Sequence, residues 1–215
     1  MGKVLAVCTS AVRGVQKEDR GAALFVANHG LDGDAHAGDW HRQVSLLSAD
    51  EIAAFNARGA AVAPGAFGEN LVVEGIDFRT LPVGTLLRCG DVLLEVTQIG
   101  KACHHHCAIF HKMGDCIMPR EGIFARVLEG GRIATGDEMT VQPRETPLPL
   151  QAAVITLSDR CAAGERQDES GPAVARRLQG AGYTVIEQLI LPDGREGLTK
   201  ELIRLADQRQ PDEFF

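Results

Sequence analysis

Sixteen residues, Lys101-Ala-Cys103-His104-His105-His106-Cys107-Ala-Ile-Phe-His111-Lys-Met-Gly-Asp-Cys116, hold three of the chain's six cysteines and four of its seven histidines. Thiolate and imidazole are the side chains that bind borderline metals and carry sulfur chemistry. On a helix over 103–112, Cys103, Cys107 and His111 fall four residues apart on one face, with His106 beside them. In an extended chain, Cys103, His105 and Cys107 share a face instead. Either geometry gathers two thiols and an imidazole. Cys103 opens the cluster just after a strand pattern and a glycine, where a loop can present a reactive thiolate, and it is the expected nucleophile. Cys103, Cys107, His106 and His111 are the expected metal donors. Zinc is one candidate, although no second Cys-x-x-Cys or His-x-x-x-His pair completes a finger. Cys8 and Cys89 stand alone on apolar strand patterns and read as small buried hydrophobes.

The elements that must position this cluster come from an ordinary globular composition. The chain has 215 residues, 45% hydrophobic and 24% charged, enough for one large domain or two modest ones. A net charge of -7 and a pI near 5.5 argue against a general nucleic-acid surface. No apolar run approaches the roughly 18 residues a membrane helix requires. The first residues run straight into a strand pattern with no signal-peptide core, so a cytoplasmic setting is expected, where thiols stay reduced.

Residues 1–146 read as strand-rich. Val4–Cys8, Val44–Leu47, Asn70–Glu74 and Asp91–Gln98 are expected strands. Ser48-Ala-Asp-Glu51 is a capping box for a helix over about 49–58 that stops at Gly59. Gly130-Gly131 and Gly136-Asp137 read as hairpin-like turns around Arg132-Ile-Ala. Short strands, glycine turns and few helices predict a barrel-like β domain. Pro143, Pro147 and Pro149 mark a linker, placed at 147–151. Beyond it, 152–157 and 184–191 read as strands and about 171–179 and 196–208 as helices. This partial α/β segment, β-α-β-α over 152–215, leaves a strand edge that a second copy could pair with, so a homo-oligomer is one expectation.

Three further stretches flank the cluster: Gly33-Asp34-Ala-His36 with Trp40-His41-Arg42, the turn Gly65-Ala-Phe-Gly68-Glu69-Asn70-Leu71, and Gly122-Ile-Phe-Ala-Arg126-Val-Leu leading to Gly136-Asp137. With the cluster, they resemble the MOSC domain, named for the C-terminal domain of molybdenum cofactor sulfurase, over about 1–142. The resemblance implies a β-barrel with a few helices. It also implies that Cys103 is the family cysteine, which binds molybdenum or carries sulfur. Here the usual Arg/Lys-x-Pro-Cys approach is Lys101-Ala102-Cys103, without the proline. Arg42, Lys101, Arg120, Glu69 and Asn70 lie on the matched motifs as candidate cofactor contacts, the basic ones suited to phosphate.

The segment from 152 resembles the molybdopterin adenylyltransferase family through Thr156-Leu-Ser158-Asp159-Arg160, Asp168-Glu-Ser170-Gly171-Pro172 and Leu191-Pro192-Asp193. Asp159, Asp168 and Ser170 correspond to its opening signature. That family's Thr-Gly-Gly-Thr-Gly loop would follow Phe215, so adenylyl transfer is not expected of these residues. The two resemblances imply a protein of molybdenum cofactor (molybdopterin) metabolism. It would bind the cofactor or pass sulfur or metal through Cys103, with a molybdoenzyme or a sulfur donor protein as partner. The alternatives are a molybdenum-dependent reductase of N-hydroxylated compounds and a non-enzymatic zinc-binding scaffold.

Overall fold

Apolar residues on both faces of one strand mark an element with layers on either side, and the first strand shows this. In β1 (Gly2–Thr9), Val4 and Val7 enter one buried cluster while Ala6 and Cys8 enter another. The protein is described by a computed structural model covering residues 1–101, 107–142 and 150–205 and the backbone of 213–214. It divides into two units, Met1–Glu145 and Thr146–Phe215. Of the linker expected at 147–151, residues 147–149 lie outside the described residues and Gln151 already opens a strand.

The first unit continues with β2 (Glu18–Asp19), β3 (Ala22–Val26), β4 (Gly30–Leu31) and β5 (Val44–Ser48). Next come α1 (Ala49–Ala57), β6 (Leu71–Glu74), β7 (Leu86–Cys89) and β8 (Val92–Ile99). It closes with α2 (Ala108–Met113), α3 (Met118–Glu121), β9 (Ile123–Glu129), β10 (Gly131–Ala134) and β11 (Glu138–Gln142). Strands run β11-β7-β8-β9-β5-β6-β1, and β1 pairs back to β11, which closes a seven-stranded barrel. A ring with an odd number of strands cannot alternate direction throughout. The parallel pair β5–β6 absorbs the mismatch, and the other six pairings are antiparallel.

Side chains such as Leu46, Leu71, Leu87, Leu94, Ile123 and Met139 fill the barrel and are all fully buried. Each large aliphatic contributes about 1.5–3 kcal/mol of transfer free energy. A second cluster lies outside the barrel wall, where Ile52 and Phe55 of α1 meet Ile109, Ile117 and Met118. Ser48 caps α1 by accepting from the Asp50 N–H at 3.2 Å, and Gly59 follows at φ +94. The reciprocal Glu51 bond of a full capping box is not made among the described residues. The expected hairpins around 132–134 are also not formed. Instead β10 leaves the barrel and pairs with β3, because Ile133 is buried in that position.

The second unit contains β12 (Gln151–Leu157), α4 (Asp159–Ala162), α5 (Ser170–Gly180), β13 (Thr184–Leu191), α6 (Arg195–Arg204) and β14 (Glu213–Phe214). Its sheet runs β13-β12-β14, all parallel. Ala175 and Leu178 of α5 pack on Ala152 and Val154 of β12. The expected partial α/β segment is present; α6 is described over Arg195–Arg204, and residues 206–208 of the expected helix lie outside the described residues.

Candidate functional site

At one end of the barrel three loops meet on a single carboxylate. Asp34, whose side chain is fully buried, accepts from the Lys17 ammonium at 2.9–3.0 Å and from the Asn70 amide at 3.1 Å. It also accepts from the backbone N–H of Ser10 at 3.2 Å and of His36 at 2.9 Å. Burial alone would raise this carboxyl. The His36 and Lys17 interactions overcome that and hold it below the usual carboxylate range. Burial pulls the Lys17 ammonium down, against the opposing pull of Asp34.

Glu69 and Asn70, expected as cofactor contacts, belong to this framework. Glu69 is 0% exposed and accepts from the N–H groups of Gly65 at 2.7 Å and Phe67 at 3.0 Å. Burial nonetheless raises its carboxyl. Gly65 is required there: its φ is +86, and a Cβ would lie 2.1 Å from the Lys17 carbonyl oxygen. Asn70 is 1% exposed, donates to the Cys8 carbonyl at 3.0 Å and accepts from the Ser45 N–H at 3.0 Å. Both side chains are spent inside the fold and position the turn. Buried Cys8 has its thiol pushed up to about 12 by desolvation and by Glu69 and Asp19, and Cys89 is likewise raised to about 11. Neither is a ready thiolate.

Two of the expected basic residues do converge. The Arg42 guanidinium lies 4.9 Å from the Trp40 ring centroid and 5.7 Å from that of Phe124. The Lys101 ammonium lies 5.7 Å from the same Phe124 ring. Arg42 belongs to the 40–42 segment before β5, Phe124 to β9, and Lys101 follows β8. Gly100 makes this convergence possible. Its φ is +69, and a Cβ would sit 2.3 Å from the Pro119 carbonyl oxygen. Its N–H donates to Gly122 at 2.6 Å, and the Lys101 N–H donates to Pro119 at 3.3 Å. The chain entering the Cys103 segment is thereby pinned to the start of β9. Trp40 and Phe124 carry no ionisable or ligating group, so a search for chemistry-bearing residue types passes over them.

Cys103 and His106 lie outside the described residues. Cys107 is exposed and extended at φ -87, ψ 177, immediately before α2, and His111 is exposed one turn into that helix. With Cys107 extended, one continuous helix over 103–112 is not formed, and α2 starts at Ala108. Among the described residues no three Cys, His, Asp or Glu side chains come together as a metal site, so Cys107 and His111 gain no third donor there for zinc. Arg120 binds Asp115 through both terminal nitrogens at 2.9 and 3.2 Å, and Arg58 binds the same carboxylate at 2.9 Å. Arg120, followed by Arg58, holds Asp115 well below its usual range. Arg120 is therefore engaged in a surface tie between α1 and α3. Described cysteines are all free thiols.

In the second unit, Asp159, Asp168 and Ser170 gather at the carboxyl ends of the parallel strands, where open α/β sheets bind ligands. Asp159 follows β12 and accepts from the Asp193 N–H beyond β13 at 2.9 Å. Asp168 accepts from the N–H and hydroxyl of Ser170, both at 3.0 Å, from the Gly171 N–H at 3.1 Å and from the Thr156 hydroxyl at 2.8 Å. The Gly171 N–H foremost, then Thr156 and Ser170, lower the Asp168 carboxyl. Asp168 thus caps α5 and ties it to β12.

Family models match both units: the MOSC domain over residues 32–140, and a probable molybdopterin binding domain over residues 153–212. Among solved structures, YuaD of Bacillus subtilis shares 18% identity at a TM-score of 0.56 and covers 65% of this chain and 94% of its own. YiiM of Geobacillus stearothermophilus shares 18% at 0.52, covering 67% and 76%. YiiM of Escherichia coli shares 19% at 0.50, covering 69% and 73%. At such identities these likenesses speak to the fold. No curated protein matches the chain. The barrel, its matched residues and the solved relatives agree, and this chain belongs to the MOSC domain family.

Proposed function

We propose that this protein handles the molybdenum cofactor, binding it or passing sulfur or metal to or from it through Cys103. The observation that carries this reading is the convergence of Arg42 and Lys101 on Phe124, with Trp40 against Arg42, at the strand end that leads into Cys103. Two cations beside two flat apolar rings suit a planar heterocycle that bears a phosphate. The match of the second unit to a molybdopterin-binding domain supports the same ligand class, with Asp159, Asp168 and Ser170 at its strand ends.

Arg42 and Lys101 would hold the phosphate, and Trp40 and Phe124 would cover the ring faces and keep water from them. When bound, the cofactor supplies the redox and sulfur-ligating chemistry of molybdenum. Cys103 would carry the sulfur as a persulfide. The Cys103 thiolate would attack the outer sulfur of a persulfide on the donor protein and release the donor's cysteine thiolate. An acceptor thiolate would then attack the outer sulfur on Cys103, forming the new S–S bond and releasing the Cys103 thiolate. Acceptor molybdoenzyme and sulfur donor protein are the partners this chemistry calls for.

The test is composition of the freshly purified full chain. Molybdenum, zinc, pterin and the thiocyanate released by cyanide are each measured per chain, in the parent and in Cys103→Ala. Expected results are pterin with molybdenum, or thiocyanate near one equivalent, with either lost in Cys103→Ala. Molybdenum and pterin together with turnover of an N-hydroxylated compound would assign the reductase. Zinc near one equivalent, with no pterin and no labile sulfur, would overturn the proposal.

A further inference from the structure

Thr97 and Gln98 both reach the same residue, His41. In a regular strand, consecutive side chains point to opposite faces and cannot do this. β8 is not regular here. Its register against β9 shifts between Val96 and Gln98, so Thr97 is an extra residue in a β-bulge. A bulge bends the strand and redirects side chains. The Thr97 hydroxyl lies 2.5 Å from the His41 carbonyl oxygen and 3.1 Å from that of Phe124, so its one proton is shared by two segments. The Gln98 side-chain amide lies between the His41 ring, 3.0 Å away, and the Gly100 carbonyl oxygen, 2.7 Å away.

The chemistry fixes how that amide is turned. A carbonyl oxygen only accepts, so Gln98 presents its NH2 group to Gly100. Its oxygen then faces His41 Nε2, and that nitrogen must carry hydrogen. This is satisfied by one neutral tautomer of His41 and by its imidazolium, so the contact survives a change of charge on the ring. The same residue pair therefore grips 40–42 from one side and Gly100–Lys101 from the other, with Phe124 between.

We infer that Thr97 and Gln98 are positioning residues that hold Arg42 and Lys101 at a fixed separation across Phe124 and so set the affinity of that face for an anionic ligand. The inference rests on the reading of this face as the ligand site, but the clamp itself can be tested without a ligand. Trp40 is the chain's single tryptophan and sits beside Arg42, so its emission reports on the clamp directly.

The experiment uses the full chain and inorganic pyrophosphate as probe, titrated against Trp40 fluorescence, with steady-state anisotropy recorded in the absence of probe. Gln98→Leu keeps the bulk and loses both hydrogen bonds. It is expected to lower Trp40 anisotropy and to weaken pyrophosphate at least tenfold. Thr97→Val is expected to do the same to a smaller degree, and Thr97→Ser to retain parental behaviour. Gln98→Glu gives a signature that simple destabilisation would not. Its carboxylate has no proton to donate to Gly100, so it fails at pH 7.5. Protonation restores the donor, so its affinity relative to the parent recovers only as the pH falls through about 4, the ordinary glutamate range. Parental affinity and anisotropy in Gln98→Leu and Thr97→Val would overturn the inference, as would a pH-independent ratio for Gln98→Glu. If the parent itself binds no pyrophosphate, the anionic-ligand reading fails, and the Trp40 anisotropies alone decide the clamp.

Discussion

Replacing Asp34 with alanine should destabilise the barrel by about 3–5 kcal/mol, because it strands the Lys17 ammonium, whose side chain is 1% exposed, in the interior. The donors of Ser10, His36 and Asn70 lose an acceptor in the same step. At roughly 3 °C per kcal/mol for a unit of this size, the thermal midpoint should fall by about 10–15 °C. Trp40 fluorescence follows the transition of the first unit in urea or heat. The double variant Asp34→Ala, Lys17→Met removes the stranded charge along with its partner. Replacing a whole buried pair with apolar groups is close to neutral in other folds, so the double should recover at least half of the loss. A single-variant loss under about 1 kcal/mol, or a double variant no better than the single, would refute the claim that this pair staples the loops.

Gly100→Ala combines a positive φ with an overlap on the Pro119 carbonyl and should cost about 2–4 kcal/mol, read from urea unfolding, together with weakened pyrophosphate binding. Cys8→Ala should cost about 1 kcal/mol of stability and leave labile sulfur in place, whereas Cys103→Ala should abolish the sulfur at unchanged stability; the two are separated by cyanolysis and thermal unfolding. The folded Asp34 carboxyl lies below its unfolded value, so its contribution is present above about pH 4 and is lost as the pH falls further. Acid titration of the midpoint should show this loss in the parent and not in the Asp34→Ala, Lys17→Met variant.

The sequence by itself determined four strands and the first helix of the barrel unit, the alternating strands and helices of the second unit, and the family resemblance. Val4–Cys8, Val44–Leu47, Asn70–Glu74 and Asp91–Gln98 alternate or cluster as strands must, and Ser48 and Gly59 bound a helix, because these signals depend only on neighbours along the chain. The parallel β-α-β order beyond residue 150 was legible for the same reason. What sequence could not decide was which strands pair across long separations. β10 looked like half of a hairpin, yet it joins β3, more than a hundred residues earlier. Nor could residue type distinguish Glu69 and Asn70 as buried ties from Glu69 and Asn70 as ligands, since a carboxylate serves either role and only burial separates them. The bulge at Thr97 is the sharpest case. Threonine and glutamine at the end of a strand carry no local mark of function. Only the closed barrel, by forcing β8 and β9 out of register beside His41, turns two consecutive side chains toward one residue and gathers Arg42 and Lys101 around Phe124.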